Sequence, residues 1–385
     1  MSTHRDSARA AAEAAGSALR AASIDRADLL LLFATTPHGP GFTRVTRTAG
    51  EACGTRAVVG CSAAGVIAGE EEVEGGPAVA VLALSGDFEA RRFFVPSIRG
   101  GGERAAEEIA QAVGQPAAGG GILLLFADTY HLEPVALFRG LARLMPGVRV
   151  IGGGASEDGS VGQVSVFCGD AVSSGAVSGA LLMGNVHASV AVSHALRRVG
   201  SVHEATGVDG RWLTTLDGRP AYEAFAAVVP EPLLADPRRA VSVVLVGLDL
   251  GEGDFVARHI VGLDSRRGAI AIDAALGVGQ QLFFGVRDPL GAREELQRVL
   301  CGQAAQWATA PAVAGLYVNC VGRGRGFYGV PGLDSAYIRQ HLGPVPVAGF
   351  FSGAEFAPGC RAAQLHQYTG VLALLGSESE RTPRA

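Results

Sequence analysis

Short runs of consecutive apolar residues, each closed by glycine and polar residues, recur along the chain. Examples are Leu29–Ala34, Ile122–Ala127 and Val313–Asn319. These runs have the length of strands and lack the alternation of a half-exposed strand. Strands that are apolar throughout belong to sheets whose two faces are both covered. The pattern therefore predicts an α/β protein with mixed sheets covered by helices.

The order strand, helix, strand, glycine turn, strand is found three times. The first copy consists of Leu29–Ala34, a segment with Arg44–Ala52, Ala57–Val59, the turn Gly60–Gly65 and Ala78–Leu84. The second consists of Ile122–Ala127, a helix from about Glu133 to Met145, Val148–Ile151, the turn Gly152–Glu157 and Gly179–Met183. The third consists of Val313–Asn319, a helix around Asp334–His341, Val345–Ala348, the turn Gly349–Glu355 and Gly370–Leu375. Such self-similarity is typical of a duplicated unit, so the three glycine turns should occupy equivalent strand ends.

The segments outside these copies add a helix and further strands. Residues 6–23 are rich in alanine with spaced charges and predict an N-terminal helix. Five strands are predicted between the second and third copies: Val186–Val192, Val241–Leu248, Phe255–Val261, Ala269–Ala274 and Gln281–Val286. Several of them alternate, as antiparallel strands do. A boundary near 215–222 would divide the chain into two domains built from repeated strand-helix-strand-strand units.

Composition narrows the class of protein. The chain has 385 residues, of which 48% are apolar and 18% charged, which favours two compact domains over disorder. The net charge is −5 and no basic stripe occurs, so nucleic acid is not an expected partner. The apolar runs are too short to span a membrane and the N-terminus is not a signal peptide. We therefore expect a cytoplasmic protein.

Cysteine spacing predicts free thiols. The six cysteines are Cys53, Cys61, Cys168, Cys301, Cys320 and Cys360. None forms a CxxC pair, and no Cys/His cluster has the spacing of a zinc site. Disulfides, a metal and other cofactors are therefore not expected.

Several motifs in a fixed order resemble the FIST domains, the paired N- and C-terminal modules of intracellular signal-transduction proteins. The motifs are Gly60–Gly65, Val150–Ser156, Leu216–Ala221, Asn319–Gly324, Ala348–Pro358 and Leu365–Thr369. The resemblance implies an N-terminal helix over 1–26, a FIST N-terminal module over 27–217, a FIST C-terminal module over 218–376 and a flexible tail over 377–385. It also implies a sensory role with a small polar ligand, such as an amino acid or small carboxylate, and no established enzyme activity.

The sequence departs from some members of this family. The segment before the first strand is too short for an F-box, so an adaptor role in ubiquitin ligation is not supported. No kinase, cyclase or chemoreceptor segment is recognised either. If the chain signals, we expect it to act through a separate protein.

Two segments that follow apolar strands carry the best candidates for ligand binding. The first contains Asn319, Cys320, Arg323 and Gly324, where glycines expose backbone N–H groups and arginine offers a fork for a carboxylate. The alternative is a glycine turn with solvated arginines. In the second segment, Ser352 and Glu355 follow an apolar strand, where ligands of α/β proteins often bind. The alternative is a surface acid beside a loop. Equivalent positions in the first copy are Gly60, Cys61 and Ser62.

We therefore predict the main pocket where Cys320–Arg323 meets Gly349–Glu355, with Arg323 removable at no cost to the core. Two other functions remain open at this point. His366 precedes the last strand, and a thiol–imidazole pair of Cys320 with His366 would indicate a cysteine-dependent hydrolase or transferase. A pocketless core would instead indicate an interaction scaffold.

Overall fold

A computed structural model describes residues 1–114, 116, 120–251 and 253–377. Helices and strands alternate over much of this length. The helices are α1 Ser7–Ala22, α2 Phe42–Ala52, α3 Gly102–Val113, α4 Pro134–Leu144, α5 Ala221–Val228, α6 Glu231–Leu234, α7 Pro237–Val243, α8 Pro289–Gln306, α9 Gly324–Tyr328 and α10 Leu333–Leu342, with a 3₁₀ helix at Thr36–Gly41.

The strands fall into three groups along the chain. The first group is β1 Leu29–Thr35, β2 Val58–Ala63, β3 Gly65–Ala68, β4 Glu71–Glu74, β5 Val79–Leu84, β6 Phe88–Val95, β7 Gly121–Ala127, β8 Val148–Gly154, β9 Val166–Cys168, β10 Ala171–Ser173, β11 Val177–Gly184 and β12 His187–His194. The second group is β13 Leu196–Asp209, β14 Trp212–Leu216, β15 Arg219–Pro220, β16 Val244–Gly251, β17 Asp254–Asp264, β18 Ala269–Ile272 and β19 Gln281–Arg287. The third group is β20 Ala314–Cys320, β21 Val347–Ser352, β22 Glu355–Ala357, β23 Gln364–His366 and β24 Thr369–Gly376.

The chain divides into two compact units. The first comprises Met1–Ser193, Leu296–Leu365 and the described residues from Thr369 onward. The second comprises His194–Glu295 together with His366–Tyr368. The predicted class, mixed sheets with helices in two domains, is confirmed. The boundary expected near 215–222 falls inside the second unit.

Three mixed sheets of the first unit share one pairing pattern. Each has a parallel pair, β1 with β2, β7 with β8 and β20 with β21. The first strand of each pair has an antiparallel neighbour on its other side, β5, β11 and β24 respectively. The strands of these pairs are buried along most of their length, as continuous apolar runs require. Superposition of three copies remains a prediction.

Each of the three glycine segments begins inside a strand and continues past the end of that strand, so the expectation that its first glycine forms a turn is wrong. Gly60 belongs to β2, Gly152 to β8 and Gly349 to β21. A Cβ at Gly60 would lie 1.8 Å from the Leu32 carbonyl oxygen of the neighbouring strand, and Gly152 and Gly349 are equally crowded. Glycine is therefore needed for close approach of paired strands, a role that sequence alone does not separate from a turn.

Aromatic rings from different sheets meet in the core of the first unit. Phe33 stacks on Phe350 with ring centroids 4.5 Å apart, and Phe126 meets Phe33 edge to face at 5.4 Å. All three rings are fully buried in one apolar cluster. Helix α1 adds a second layer through its alanine face, and it begins where the Asp6 carboxylate accepts a hydrogen bond from the Arg9 N–H.

The second unit is an antiparallel sheet with the order β13-β19-β16-β17-β18-β14-β15, closed on itself because β13 also pairs with β14. Four of the five strands predicted between the second and third copies, corresponding to β16, β17, β18 and β19, lie in this unit, and the first corresponds to β12. The long strand β13 was not predicted, because most of its residues are polar or exposed and its apolar positions are irregular.

Residues 378–385 of the predicted flexible tail lie outside the described residues. In the described part of the chain, no helix combines the length and the apolar character that crossing a bilayer requires.

Candidate ligand-binding site

Pairing of β20 with β21 brings the two predicted binding segments together in the first unit. The strands are parallel, and Cys320 lies opposite Ser352. The Val321 N–H donates to the Ser352 carbonyl oxygen at 2.9 Å, which extends the pairing past the end of β20. Because parallel strands end at the same edge of a sheet, both segments leave it side by side. We call Cys320, Arg323, Ser352 and Glu355 the strand-end cluster.

Arg323 is fully buried, which corrects the alternative of a solvated arginine and the expectation that its removal leaves the core intact. Its Nε lies 3.2 Å from Asp334 Oδ2, and its Nη1 donates to the Ser193 carbonyl oxygen at 3.1 Å. Burial alone would lower the pKa of this guanidinium, but Asp334 and neighbouring groups outweigh it and the pKa is raised. Arg323 is neither a solvated turn residue nor removable without loss of core volume. A ligand carboxylate would have to compete with Asp334.

Asp334 is the acceptor around which the Arg323 environment is built. Its Oδ2 accepts from the Asn319 side-chain amide and from the Tyr317 hydroxyl, both at 3.0 Å. Burial raises the pKa of Tyr317 well above its usual value, which keeps this hydroxyl a donor. Asn319 therefore has a structural partner. Sequence reasoning missed Asp334, which lies in helix α10. Its distance from Arg323 along the chain does not indicate that the two side chains pair.

Glu355 is an acid whose complete burial favours its protonated form. Burial raises its pKa to about 7, although hydrogen bonds from Ser352 and Thr369 work against this shift. The Ser352 hydroxyl lies 2.7 Å from Glu355 Oε1 and 3.1 Å from the Ala354 carbonyl oxygen. A hydroxyl has one hydrogen, so Ser352 donates to one of these two oxygens at a time. The Thr369 N–H and hydroxyl donate to Oε2 at 3.2 and 2.8 Å.

Cys320 and Gly324 are held by local contacts. The Cys320 sulfur accepts from the Gly322 N–H at 3.4 Å, and the residue is almost fully buried. Gly324 has φ of 68°, and a Cβ there would lie 2.6 Å from a Glu74 carboxylate oxygen. The Arg325 N–H donates to that same carboxylate at 2.9 Å. The loop after β20 is thus closed by an acid from β4.

Gly60, Cys61 and Ser62, the equivalent residues of the first copy, contact other residues of the first unit. Cys61 is completely buried in β2, and burial raises the pKa of its thiol well above the usual value. The Ser62 hydroxyl donates to the Ser156 carbonyl oxygen at 3.0 Å and accepts from the Ser165 N–H at 2.9 Å. Gly60 is packed against β1. These contacts hold segments together, and the predicted ligand role of the three residues stays a prediction.

His366 belongs to the second unit and lies at the end of β23. It is 1% exposed, and neither of its ring nitrogens has a hydrogen-bond partner among the described residues. Burial, together with the nearby His194, lowers the pKa of His366 to about 3, so the ring is neutral at ordinary pH. A neutral imidazole has one N–H donor and one acceptor, and both lack a partner in this part of the protein.

His194 lies beside His366, with ring centroids 6.0 Å apart. Its Nε2 is 3.6 Å from Asp254 Oδ1, and its ring stacks on Phe255 at 4.0 Å. Its Nδ1 lacks a partner among the described residues. Despite burial, His194 lowers the pKa of Asp254, so this acid stays charged. We call His194, Asp254 and His366 the histidine cluster. His194 was not among the residues singled out from the sequence.

Neither cluster has the features of a metal site or a thiol–imidazole pair, and neither lines one of the two large clefts. Among the described residues, no group of three His, Cys, Asp or Glu side chains has the geometry to hold a metal ion. Cys320 belongs to the first unit and His366 to the second. All six cysteines are free thiols in the structure. Two clefts of the first unit, of about 640 and 710 Å³, are lined by other residues than the strand-end cluster.

Comparison with known families identifies the class of protein. The FIST N domain matches residues 28–219, and the FIST C domain matches residues 221–358. Together these matches cover most of the chain, which therefore belongs to the FIST family. FIST domains are associated with sensing in signal transduction.

Curated relatives match the chain from end to end. A protein of Mycobacterium tuberculosis strain H37Rv is 32% identical over 391 residues, which cover 97% of this chain and 98% of the relative. A protein of Mycobacterium bovis is 32% identical over 395 residues, which cover 98% of each chain. Both relatives are described only as uncharacterized proteins. These descriptions carry no information on a ligand.

Proposed function

We propose that this FIST protein is a sensory module that binds a small polar ligand, such as an amino acid or small carboxylate, and signals through a separate protein. The observation that carries the proposal is the buried, neutral His366 with two ring nitrogens that lack partners among the described residues. Buried polar groups without partners are costly, and in native proteins they are usually satisfied by a ligand, an ion or water. His366 is therefore a position where a ligand contributes hydrogen bonds that the protein lacks.

The neighbours of His366 indicate what kind of group binds. The Nε2 of His194 lies 3.6 Å from Asp254 Oδ1, and its Nδ1 has no partner among the described residues. A polar group of the ligand would bond this Nδ1, and the charged Asp254 favours an ammonium group. Phe255 supplies an apolar wall, as small-molecule sites usually require.

The strand-end cluster supports the same class of ligand less directly. Arg323 and Asp334 satisfy each other, so the charge that a carboxylate would seek is already neutralised. Glu355, with a pKa of about 7, is the titratable group of this cluster that changes charge near neutral pH. We therefore assign ligand recognition first to His366 and keep Ser352 and Glu355 as secondary candidates.

A thermal-shift screen against amino acids and small carboxylates tests the proposal. A ligand that binds only the folded state raises the melting temperature by mass action, by the equivalent of about 2.7 kcal/mol at a concentration of about 100 times Kd. The hit is then titrated by calorimetry against wild type, His366→Leu and the control His341→Leu. His341 is a suitable control because its Nδ1 already bonds the Tyr337 carbonyl oxygen at 2.9 Å.

The expected result is that His366→Leu loses affinity by about tenfold or more, the effect of one hydrogen bond to a polar ligand group. His341→Leu should bind as wild type does. If all three proteins bind the hit equally, His366 is not part of the site. If no compound in the screen shifts the melting temperature, the small-ligand proposal itself fails.

A further inference from the structure

Strand β5 ends one sheet of the first unit, and half of its backbone groups face outward. The sheet order is β10-β9-β2-β1-β5, so β5 has β1 on one side only. The Thr35 N–H donates to the Ala78 carbonyl oxygen at 2.9 Å, which marks the residues whose backbone faces β1. Because this direction alternates along a strand, Val79, Val81 and Ala83 face the open edge.

Ser2 occupies the first of these three outward positions. Its N–H and carbonyl oxygen exchange two hydrogen bonds with Val79, at 3.0 and 2.9 Å, in antiparallel pairing. Within the described residues, Val81 and Ala83 have no such partner at this edge. They are nevertheless only 5% and 8% exposed. Recessed backbone groups that lack partners carry a free-energy cost, which a paired strand removes.

The open edge forms the floor of a cleft of about 710 Å³. One wall is the C-terminal part of α1, with Ala18, Ala21 and Ala22, and the other is formed by Pro311–Ala314 and Pro344–Ala348. None of the described residues that line the cleft has a charged side chain. Exposed sheet edges are normally protected by lysine, proline or a covering element. Val81–Leu84 is protected instead by its depth.

We propose that this edge binds an extended peptide segment of a partner protein, which adds to the sheet as a strand in line with Ser2. Backbone hydrogen bonds to Val81 and Ala83 would give affinity, as in other cases of strand addition. Successive side chains of the segment would face α1 and the opposite wall in turn. Because both walls are apolar, the segment is apolar on both faces, with no proline at the paired positions.

A second copy of this chain is a poorer occupant. Its own β5 edge lies equally deep in a cleft, so two such edges cannot approach each other for direct pairing. A separate narrow segment has no such obstruction. This choice also agrees with a protein that signals through another chain, but it does not depend on the ligand proposed for His366.

The test uses the full chain and a fluorescein-labelled peptide with a central Val-Ile-Val-Ile-Val segment flanked by lysines. A matched peptide carries N-methyl groups on alternate central residues, which removes the backbone donors of one edge. Ala21→Arg places a long side chain in the cleft from an exposed position of α1, and Ala12→Arg makes the same change on the same helix outside it. Neither variant alters the core.

We expect the peptide to bind wild type and Ala12→Arg alike, and Ala21→Arg about tenfold or more weakly, since overlap in a filled site is costly. The N-methylated peptide should bind weakly to all three proteins. The proposal fails if Ala21→Arg and Ala12→Arg bind equally, or if wild type does not bind the peptide. It also fails if wild type is a dimer that Ala21→Arg dissociates, because a second copy then covers the edge.

Hydrogen exchange tests the edge without any peptide. In the free protein, the amides of Val81 and Ala83 should exchange faster than those of Ala80 and Leu82, which face β1. Addition of the peptide should slow the first pair and leave the second unchanged. Equal protection of all four amides in the free protein contradicts an open edge.

Discussion

Replacement of His366 by leucine should make the second unit more stable while removing a binding group. Leucine fills a similar volume and has no polar atom, so it relieves the cost of two buried nitrogens that lack partners among the described residues. One unsatisfied buried polar group costs about 1–3 kcal/mol. We expect His366→Leu to raise the unfolding free energy by about this amount near pH 7.5.

The pH dependence of the unfolding free energy gives a second test of His366, with a predicted size and sign. The pKa of His366 is about 3 in the folded protein, against 6.5 for the ordinary side chain. The unfolded chain therefore binds a proton that the folded chain does not, so stability is complete above pH 6.5 and falls as the pH is lowered. Between about pH 7.5 and about pH 5.5, linkage gives a loss of about 1.4 kcal/mol for this residue. His366→Leu should not show that part of the loss.

The assay is urea unfolding followed by tryptophan fluorescence. The chain has two tryptophans, of which Trp212 lies in the second unit and Trp307 in the first. In a Trp307→Phe background, Trp212 therefore reports on the second unit alone. His203→Leu in the same background controls for loss of a histidine of the second unit whose ring already has a partner, Asp217 Oδ2 at 2.7 Å.

Two results would refute this reasoning. If His366→Leu lowers the unfolding free energy at pH 7.5, the ring makes interactions that stabilise the apo protein. If wild type and His366→Leu lose the same free energy between the two pH values, His366 is not held neutral by the fold. Either result also removes the main support for ligand binding at this residue.

Two further substitutions and one labelling experiment have expected outcomes. Glu355→Gln should abolish a loss of about 2–3 kcal/mol between about pH 5 and pH 8, because a folded-state pKa raised to about 7 costs stability as pH rises from 4.5; equal pH profiles of the two proteins contradict this. Arg323→Ala should cost about 3–5 kcal/mol in urea unfolding by leaving Asp334 buried without its partner, whereas a loss below about 1 kcal/mol would show that the pair is not buried in solution. With a thiol reagent, Cys301 and Cys360 should react first because they are exposed, and six thiols should react in denaturant without reductant; fewer than six indicate a disulfide.

Much of the fold followed from the sequence because it depends on local pattern. Continuous apolar runs predicted β1, β7 and β20 within a residue or two. The segments that follow β7 and β20 were predicted as helices and correspond to α4 and α10. The motifs of both halves identified the FIST family, which the matches over residues 28–219 and 221–358 show independently. The glycines were found, but their role was not, because a strand position that excludes a Cβ and a turn both require glycine.

The candidate site depended on tertiary structure, because its partners are far apart along the chain. Arg323 was visible as a cation, but only folding of α10 against the end of β20 placed Asp334 beside it and buried both. Likewise, His194 is the last residue of β12 and His366 the last residue of β23, and no sequence spacing relates them. The sequence by itself therefore determined the class of fold, the family and the residues with chemistry. Burial and pairing decided which of them are neutralised, which are protonated and which lack a partner, because desolvation and hydrogen bonding act only once the chain is packed.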